Sequence, residues 1–124
     1  MAEHLGEPGV SPALVVRTTE RDGAIVVGLV GELDMTTVDL AAKALDDAIA
    51  RGTFVVLDMT GLRFFSSAGL NLLLQLHREM GEKRLDVRVA GDQRAVARPL
   101  ELTGLTDLFP IHRSVSDALA AEAR

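Results

Sequence analysis

After an opening hairpin signal, short β-branched runs alternate with stretches whose apolar residues recur at helical spacing. That alternation constrains the fold more tightly than any single motif. Ala13 to Thr18 and Ala24 to Val30 are the first two runs, and Glu20-Arg21-Asp22-Gly23 lies between them. An Asp-Gly pair accepts the positive φ angles of a tight turn, so these runs are expected to pair antiparallel. From Val38, the positions Val38, Ala41, Ala42, Leu45, Ala48 and Ile49 line one helical face, with Thr36 or Thr37 as cap and Arg51-Gly52 as the end. Thr53 to Met59 then reads as a buried strand and Thr60 to Phe65 as a loop. Ser66-Ser67 opens a second helix that Gly81 closes. Arg84 to Ala90 alternates like a half-buried strand, Gln93 to Leu102 reads as a third helix, and Leu108 to Ile111 as a short last strand. Ser114 or Ser116 caps a fourth helix.

This order predicts an α/β fold with a mixed sheet of about five strands, opened by an antiparallel hairpin and packed with about four α-helices. A chain of 124 residues is the size of one domain, expected over residues 13–124. Residues 1–12 read as a flexible leader, since Glu3, Gly6, Glu7, Pro8 and Gly9 leave no apolar run there. That stretch lacks the basic start and apolar core of a secretory signal. No window approaches the ~18 consecutive apolar residues of a membrane span. A cytoplasmic location without membrane insertion is the expectation.

Reactive chemistry is scarce. The chain has no Cys, which removes thiol catalysis, disulfides and cysteine-based zinc sites together. Its net charge of −5 disfavours direct contact with nucleic-acid phosphates. The three histidines, His4, His77 and His112, are dispersed and form neither a triad nor an H-x-x-x-H pair. Neither G-x-G-x-x-G nor a phosphate loop occurs. Asp58, at a strand end, reads as the organiser of the following turn, and Glu32 and Asp34 read as a solvated loop with a capping role. No catalytic, cofactor or metal site is expected, and the chain is not expected to be an enzyme. A weak hydrolase built on Asp58 ranks last.

Leu62-Arg63-Phe64-Phe65-Ser66-Ser67-Ala68-Gly69-Leu70-Asn71 is the unusual segment. Ser66 or Ser67 can cap the exposed N–H groups of a first helical turn. Gly69 within that turn costs ~1 kcal/mol relative to Ala, which implies either close helix–strand packing or a need for backbone access. A phosphoryl group on Ser67 would add about two negative charges where the helix dipole tolerates them and an acidic or apolar partner would not. Leu70, Leu72, Leu73, Leu74 and Leu76 exceed a single core-facing stripe, so part of this helix is expected either near a partner or wedged between sheet and helix.

Val30-Gly31-Glu32-Leu33-Asp34, then Val55 to Phe64, then Ser66-Ser67-Ala68-Gly69-Leu70 resemble the STAS domain, and in particular the bacterial anti-anti-sigma factors (anti-sigma factor antagonists). The resemblance covers about residues 13 to 120. It implies a partner-switching regulator that binds an anti-sigma factor, usually a small ATP-using serine kinase, and so frees a sigma factor. It also implies phosphorylation at the start of the second helix and resetting by a PPM-type serine phosphatase. By motif position Ser67 is the phosphoacceptor, with Ser66 the alternative. Glu32, Asp34, Ser66, Ser67, Ala68, Gly69 and Leu70 are the expected partner-binding residues. The family commonly has Asp before the acceptor and Ser or Thr after it, where this chain has Ser66 and Ala68. A monomer or weak dimer is expected. The alternative function is a STAS-type accessory or ligand-sensing module of a membrane transport system.

Overall fold

Asp22 and Gly23 hold φ angles of 53° and 83°, closing the hairpin where the Asp-Gly pair places it. In the computed structural model, which describes residues 13–121, this turn joins β1 (Leu14–Arg21) to β2 (Ala24–Leu33) in antiparallel register. Next come α1 (Val38–Arg51), β3 (Phe54–Phe65), α2 (Ser67–Lys83), β4 (Asp86–Ala90) and α3 (Arg94–Thr103). A turn of 3-10 helix at Leu105–Asp107, β5 (Ile111–His112) and α4 (Val115–Ala120) complete the described chain. The five strands lie in the order β1-β2-β3-β4-β5, and every pair after the hairpin is parallel. The mixed five-stranded sheet with four α-helices is therefore as expected. The leader expected over residues 1–12 lies outside the described residues.

Because the strand order simply counts upward, crossovers of the usual right hand place successive helices on one face. The core follows this layout. Leu45, Leu73, Leu76, Val96 and Leu100 of α1, α2 and α3 meet Val27, Leu29, Val55, Leu57, Val87 and Val89 in one buried cluster. On the opposite face, Ala118 of α4 packs against Ala24, Val26 and Val56.

α4 is also held by Arg88, a residue that the sequence shows only as part of an alternating strand. Its guanidinium is buried, ion-pairs with Asp86 at 2.9 Å, and donates to the carbonyls of Ala118 and Ala121 at 2.6 and 2.7 Å. It also lies 4.5 Å from the centre of the Phe54 ring.

Several boundaries differ from the sequence reading. β3 does not end at Met59 but runs on to Phe65, through the stretch expected to be a loop. Its pairing with β2 slips between Gly28 and Val30 and again between Gly31 and Glu32, each slip leaving an extra residue on β3. Such bulges break the apolar alternation that marks a strand. Gly61 belongs to this distortion: a Cβ there would stand 2.8 Å from Val30 and 3.0 Å from the Leu29 carbonyl oxygen. Gly81 does not close α2. The helix continues to Lys83, helped by a Glu79–Lys83 pair in its last turn, and Arg84 adopts the left-handed cap at φ 54°. The strand expected at Leu108–Ile111 is shorter and shifted, to Ile111–His112, because Phe109 turns into the core. α3 contains Pro99 and persists because Val96 and Leu100 on its inner face are fully buried.

Candidate functional site

Residues 32–34 and 66–70, separated by one helix and one strand in the sequence, are joined directly in the fold. Glu32 pairs with Phe64 and Leu33 with Phe65 across β2 and β3. The N–H of Ser66 donates to the carbonyl of Leu33 at 3.0 Å. The end of β2, the end of β3 and the start of α2 thus form one surface at the carboxyl ends of parallel strands, where α/β folds commonly place function.

Each expected site residue has a distinct local role. Ser66 caps α2: its hydroxyl accepts from the N–H of Ala68 at 3.2 Å, and its own carbonyl accepts from the N–H of Leu70 at 3.1 Å. Ser67, the first helical residue, is exposed. Ala68 and Leu70 are half-buried, and Leu70 packs on the main core. Gly69 is buried under β3. A Cβ at that position would stand 2.5 and 2.7 Å from ring carbons of Phe65 and 3.0 Å from Cδ2 of Leu33. Close helix–strand packing is therefore the reason for glycine here.

Glu32 lies within β2 and not in the loop expected for it, because β2 continues to Leu33 alongside β3. It is half-exposed and faces Arg63 at 3.7 Å, an ion pair open to solvent and worth at most about 1 kcal/mol. Asp34 builds the turn that leads into α1. Its Oδ1 accepts from the Thr36 hydroxyl at 2.7 Å and the Thr36 N–H at 2.9 Å. Its carbonyl accepts from the N–H groups of Thr37 and Val38. Thr37 stands at the helix cap, yet its hydroxyl points back, donating to the Glu32 carbonyl at 2.8 Å and accepting from the Asp34 N–H at 3.0 Å. The loop is thereby knotted to itself, and Met35 is left 83% exposed at its tip.

The Thr36 hydroxyl, and then the Thr36 N–H and Thr37, hold the Asp34 carboxyl below its ordinary value of 3.8. A depressed carboxylate contributes stability that is fully present above the unfolded pKa and is lost as pH falls through the folded one. The stability gap between the wild type and Asp34→Asn should thus stay constant from neutrality to about pH 5 and shrink below about pH 4. Urea midpoints of both proteins across that range check this. A gap that does not change with pH overturns it.

Of the five leucines in α2, Leu73 and Leu76 are buried and Leu70 and Leu72 pack against the core, so the helix is mostly wedged into the fold. Leu74 is the most exposed of the five, on the side of the helix that also carries Ser67 and Asn71. Phe64, by contrast, is half exposed while Phe65 is buried. The alternation of a strand could have signalled that one ring faces out. Asp58 accepts from the N–H and hydroxyl of Thr60 at 3.0 and 2.6 Å, but it does so inside β3, at the first bulge, and not in the turn expected after a strand end. Among the described residues no cluster of His, Asp and Glu could hold a metal, and no helix is long and apolar enough to cross a membrane.

The arrangement places an exposed serine at a capped helix start, beside an acidic turn closed by its own hydrogen bonds and an outward phenylalanine. The sequence pattern of the STAS domain matches residues 15–118, nearly all of the described chain. The chain belongs to the STAS domain family. This STAS chain is 31% identical over 108 residues to an anti-sigma F factor antagonist of Paenibacillus polymyxa, covering 86% of this chain and 92% of that protein. It is also 31% identical over 116 residues to the anti-sigma-F factor antagonist RsfA of Mycobacterium tuberculosis, 90% of each chain being covered. Its fold superposes with a TM-score of 0.80 on the crystal structure of an anti-sigma factor antagonist from Mycobacterium paratuberculosis. That pair shares 30% identity over 93% of this chain and 96% of the other.

Proposed function

We propose that this STAS protein is an anti-sigma factor antagonist, a regulatory binding protein rather than an enzyme. It binds an anti-sigma factor of the serine-kinase type and is released when Ser67 is phosphorylated. The observation that carries the reading is the near full-length likeness, at 30–31% identity, to proteins named as such antagonists. The geometry of α2 supports the finer part. Ser66 is engaged as the cap while the hydroxyl of Ser67 is exposed, which favours Ser67 over Ser66 as acceptor. In the transfer, Ser67 Oγ forms a bond to the γ-phosphorus of ATP, the bond to the β,γ-bridging oxygen breaks, and ADP leaves. The hydroxyl proton passes to a base on the kinase. A PPM-type phosphatase hydrolyses the ester and restores the hydroxyl.

The phosphate would sit at the first turn of α2, where the helix dipole favours a negative charge by about 0.3–1 kcal/mol. The fold therefore retains its structure, and the added charge acts on the partner. Incubation with the kinase-type anti-sigma factor of the same organism and ATP should add one phosphate, which mass spectrometry locates on Ser67. Ser66→Ala should still be modified, and Ser67→Ala should not. Ser67→Glu should weaken binding to that anti-sigma factor by about 100-fold, since a misplaced like charge at an interface costs several kcal/mol. Unchanged binding by Ser67→Glu overturns the switch, and failure to bind any anti-sigma factor overturns the antagonist reading.

A further inference from the structure

Beside the Ser67 surface lies an open groove of about 490 Å³, between the end of β3 and α3. Arg63, Phe64, Phe65, Arg94, Arg98 and Pro99 line it. On a chain of net charge −5, this concavity holds three arginines and no acid among its lining residues. Arg63 is only loosely neutralised by Glu32 at 3.7 Å, and among the described residues neither Arg94 nor Arg98 has a carboxylate within ion-pair distance.

The setting of Arg94 is unfavourable for the fold by itself. Arg94 is the first residue of α3, at the positive end of the helix dipole, and no acidic residue accompanies it in that turn. The cap residue Gln93 gives no side-chain cap. Its carboxamide donates instead to the carbonyls of Met59 and Leu62 at 2.8 and 3.1 Å, pinning the start of α3 to the bulged part of β3. Arg94 and Arg98 are four residues apart, so they rise from one helical face about 6 Å apart. The groove is continuous with the proposed interface. Phe64 pairs with Glu32, and Ser67 follows Phe65 by two residues, which limits their Cα separation to about 7.6 Å.

We propose that this groove docks an acidic segment of the anti-sigma factor, its carboxylates meeting Arg94 and Arg98 and an apolar side chain seating against Phe64 and Pro99. The proposal rests on the antagonist reading for the identity of the partner, and on the groove alone for its chemistry. Carboxylates suit a guanidinium pair through bidentate hydrogen bonds. A nucleic-acid backbone suits it less, because the surrounding surface repels an extended polyanion.

The test has two arms. In the first, the isotopically labelled chain is titrated with a short capped peptide of glutamates and one leucine, and in parallel with a single-stranded oligonucleotide. Amide shifts at Arg63, Phe64, Arg94, Ala95 and Arg98 are expected with the peptide, abolished by Arg94→Glu/Arg98→Glu and retained by Arg17→Glu/Arg84→Glu. Shifts spread over other arginines, or tighter occupation of the groove by the oligonucleotide, overturn the proposal. In the second arm, Arg94→Glu/Arg98→Glu should weaken binding to the anti-sigma factor by about 30-fold, with a circular-dichroism melt no lower than that of the wild type. If Ser67→Glu weakens that complex and the arginine reversals do not, the groove proposal fails while the antagonist reading stands. If no anti-sigma factor binds but the peptide occupies the groove through Arg94 and Arg98, the antagonist reading fails and the acidic docking chemistry remains.

Discussion

Gly69→Val is expected to destabilise the fold by about 3 kcal/mol, the upper range for forcing extra atoms into a packed core. A Cβ at Gly69 meets the Phe65 ring at 2.5 and 2.7 Å and Leu33 at 3.0 Å, and both neighbours are buried, so neither can swing out to water. Gly69→Ala should lose less, about 1 kcal/mol, because the ~1 kcal/mol helix-propensity gain of Ala offsets part of the clash. Gly81→Ala is the internal comparison. It lies in the same helix with nothing within 4 Å of its would-be Cβ, so it should gain up to about 1 kcal/mol. Urea denaturation with unchanged m-values reads all three. If Gly69→Ala proves as stabilising as Gly81→Ala, the contact between α2 and β3 is looser than these distances require. Combining Gly69→Ala with Phe65→Leu should recover part of the loss.

Arg88→Ala carries the second large effect, a loss of about 3 kcal/mol, the low end for breaking a buried ion pair. The substitution strands the Asp86 carboxylate and two carbonyls of the α4 terminus at once, and removes the cation from the Phe54 ring. Asp86 is partly exposed, with 29% of its side chain reaching water, and this keeps the cost from rising further. Arg88→Lys should recover less than half of the loss, because a single ammonium cannot span a carboxylate and two carbonyls. Hydrogen exchange should show the loss centred on α4, with the Ala118 amide opening well before those of β3. Uniform exchange across the sheet would indicate that Arg88 does not hold α4 in particular.

What could be read in the sequence, and what could not, follows from where local signals dominate. The Asp22-Gly23 turn and the 38–51 helix are written in neighbouring residues, and both appear where expected. The chain order of strands and helices was enough for the mixed sheet, because right-handed crossovers leave few ways to wind it. The extension of β3 to Phe65 was hidden, since two bulged residues disrupt the period on which strand reading depends. Gly81 looked like a stop because glycine favours left-handed caps, but a Glu79–Lys83 pair and the buried Leu85 carry the helix past it. At the site, the Ser66-Ser67 pair is visible in the sequence as a helix start, while the assignment of the cap to Ser66 requires coordinates. Arg94 and Arg98 drew no notice in the sequence, because their meaning comes from Arg63 and Phe64 on another element. Arg88 was equally silent: nothing local distinguishes a buried arginine from a solvated one.

The start of α2 is held by the Ser66–Leu33 hydrogen bond, by the Ser66 cap and by Gly69 pressed beneath Phe65. A platform tied down on three sides has no slack through which a modification could act as a lever. The two chemical states of such a protein would share one shape and differ only in their electrostatic potential. Information would then be kept without refolding, and the pace of signalling would be limited by enzymatic turnover and partner dissociation. A salt-sensitive response is the natural signature of a memory written in charge.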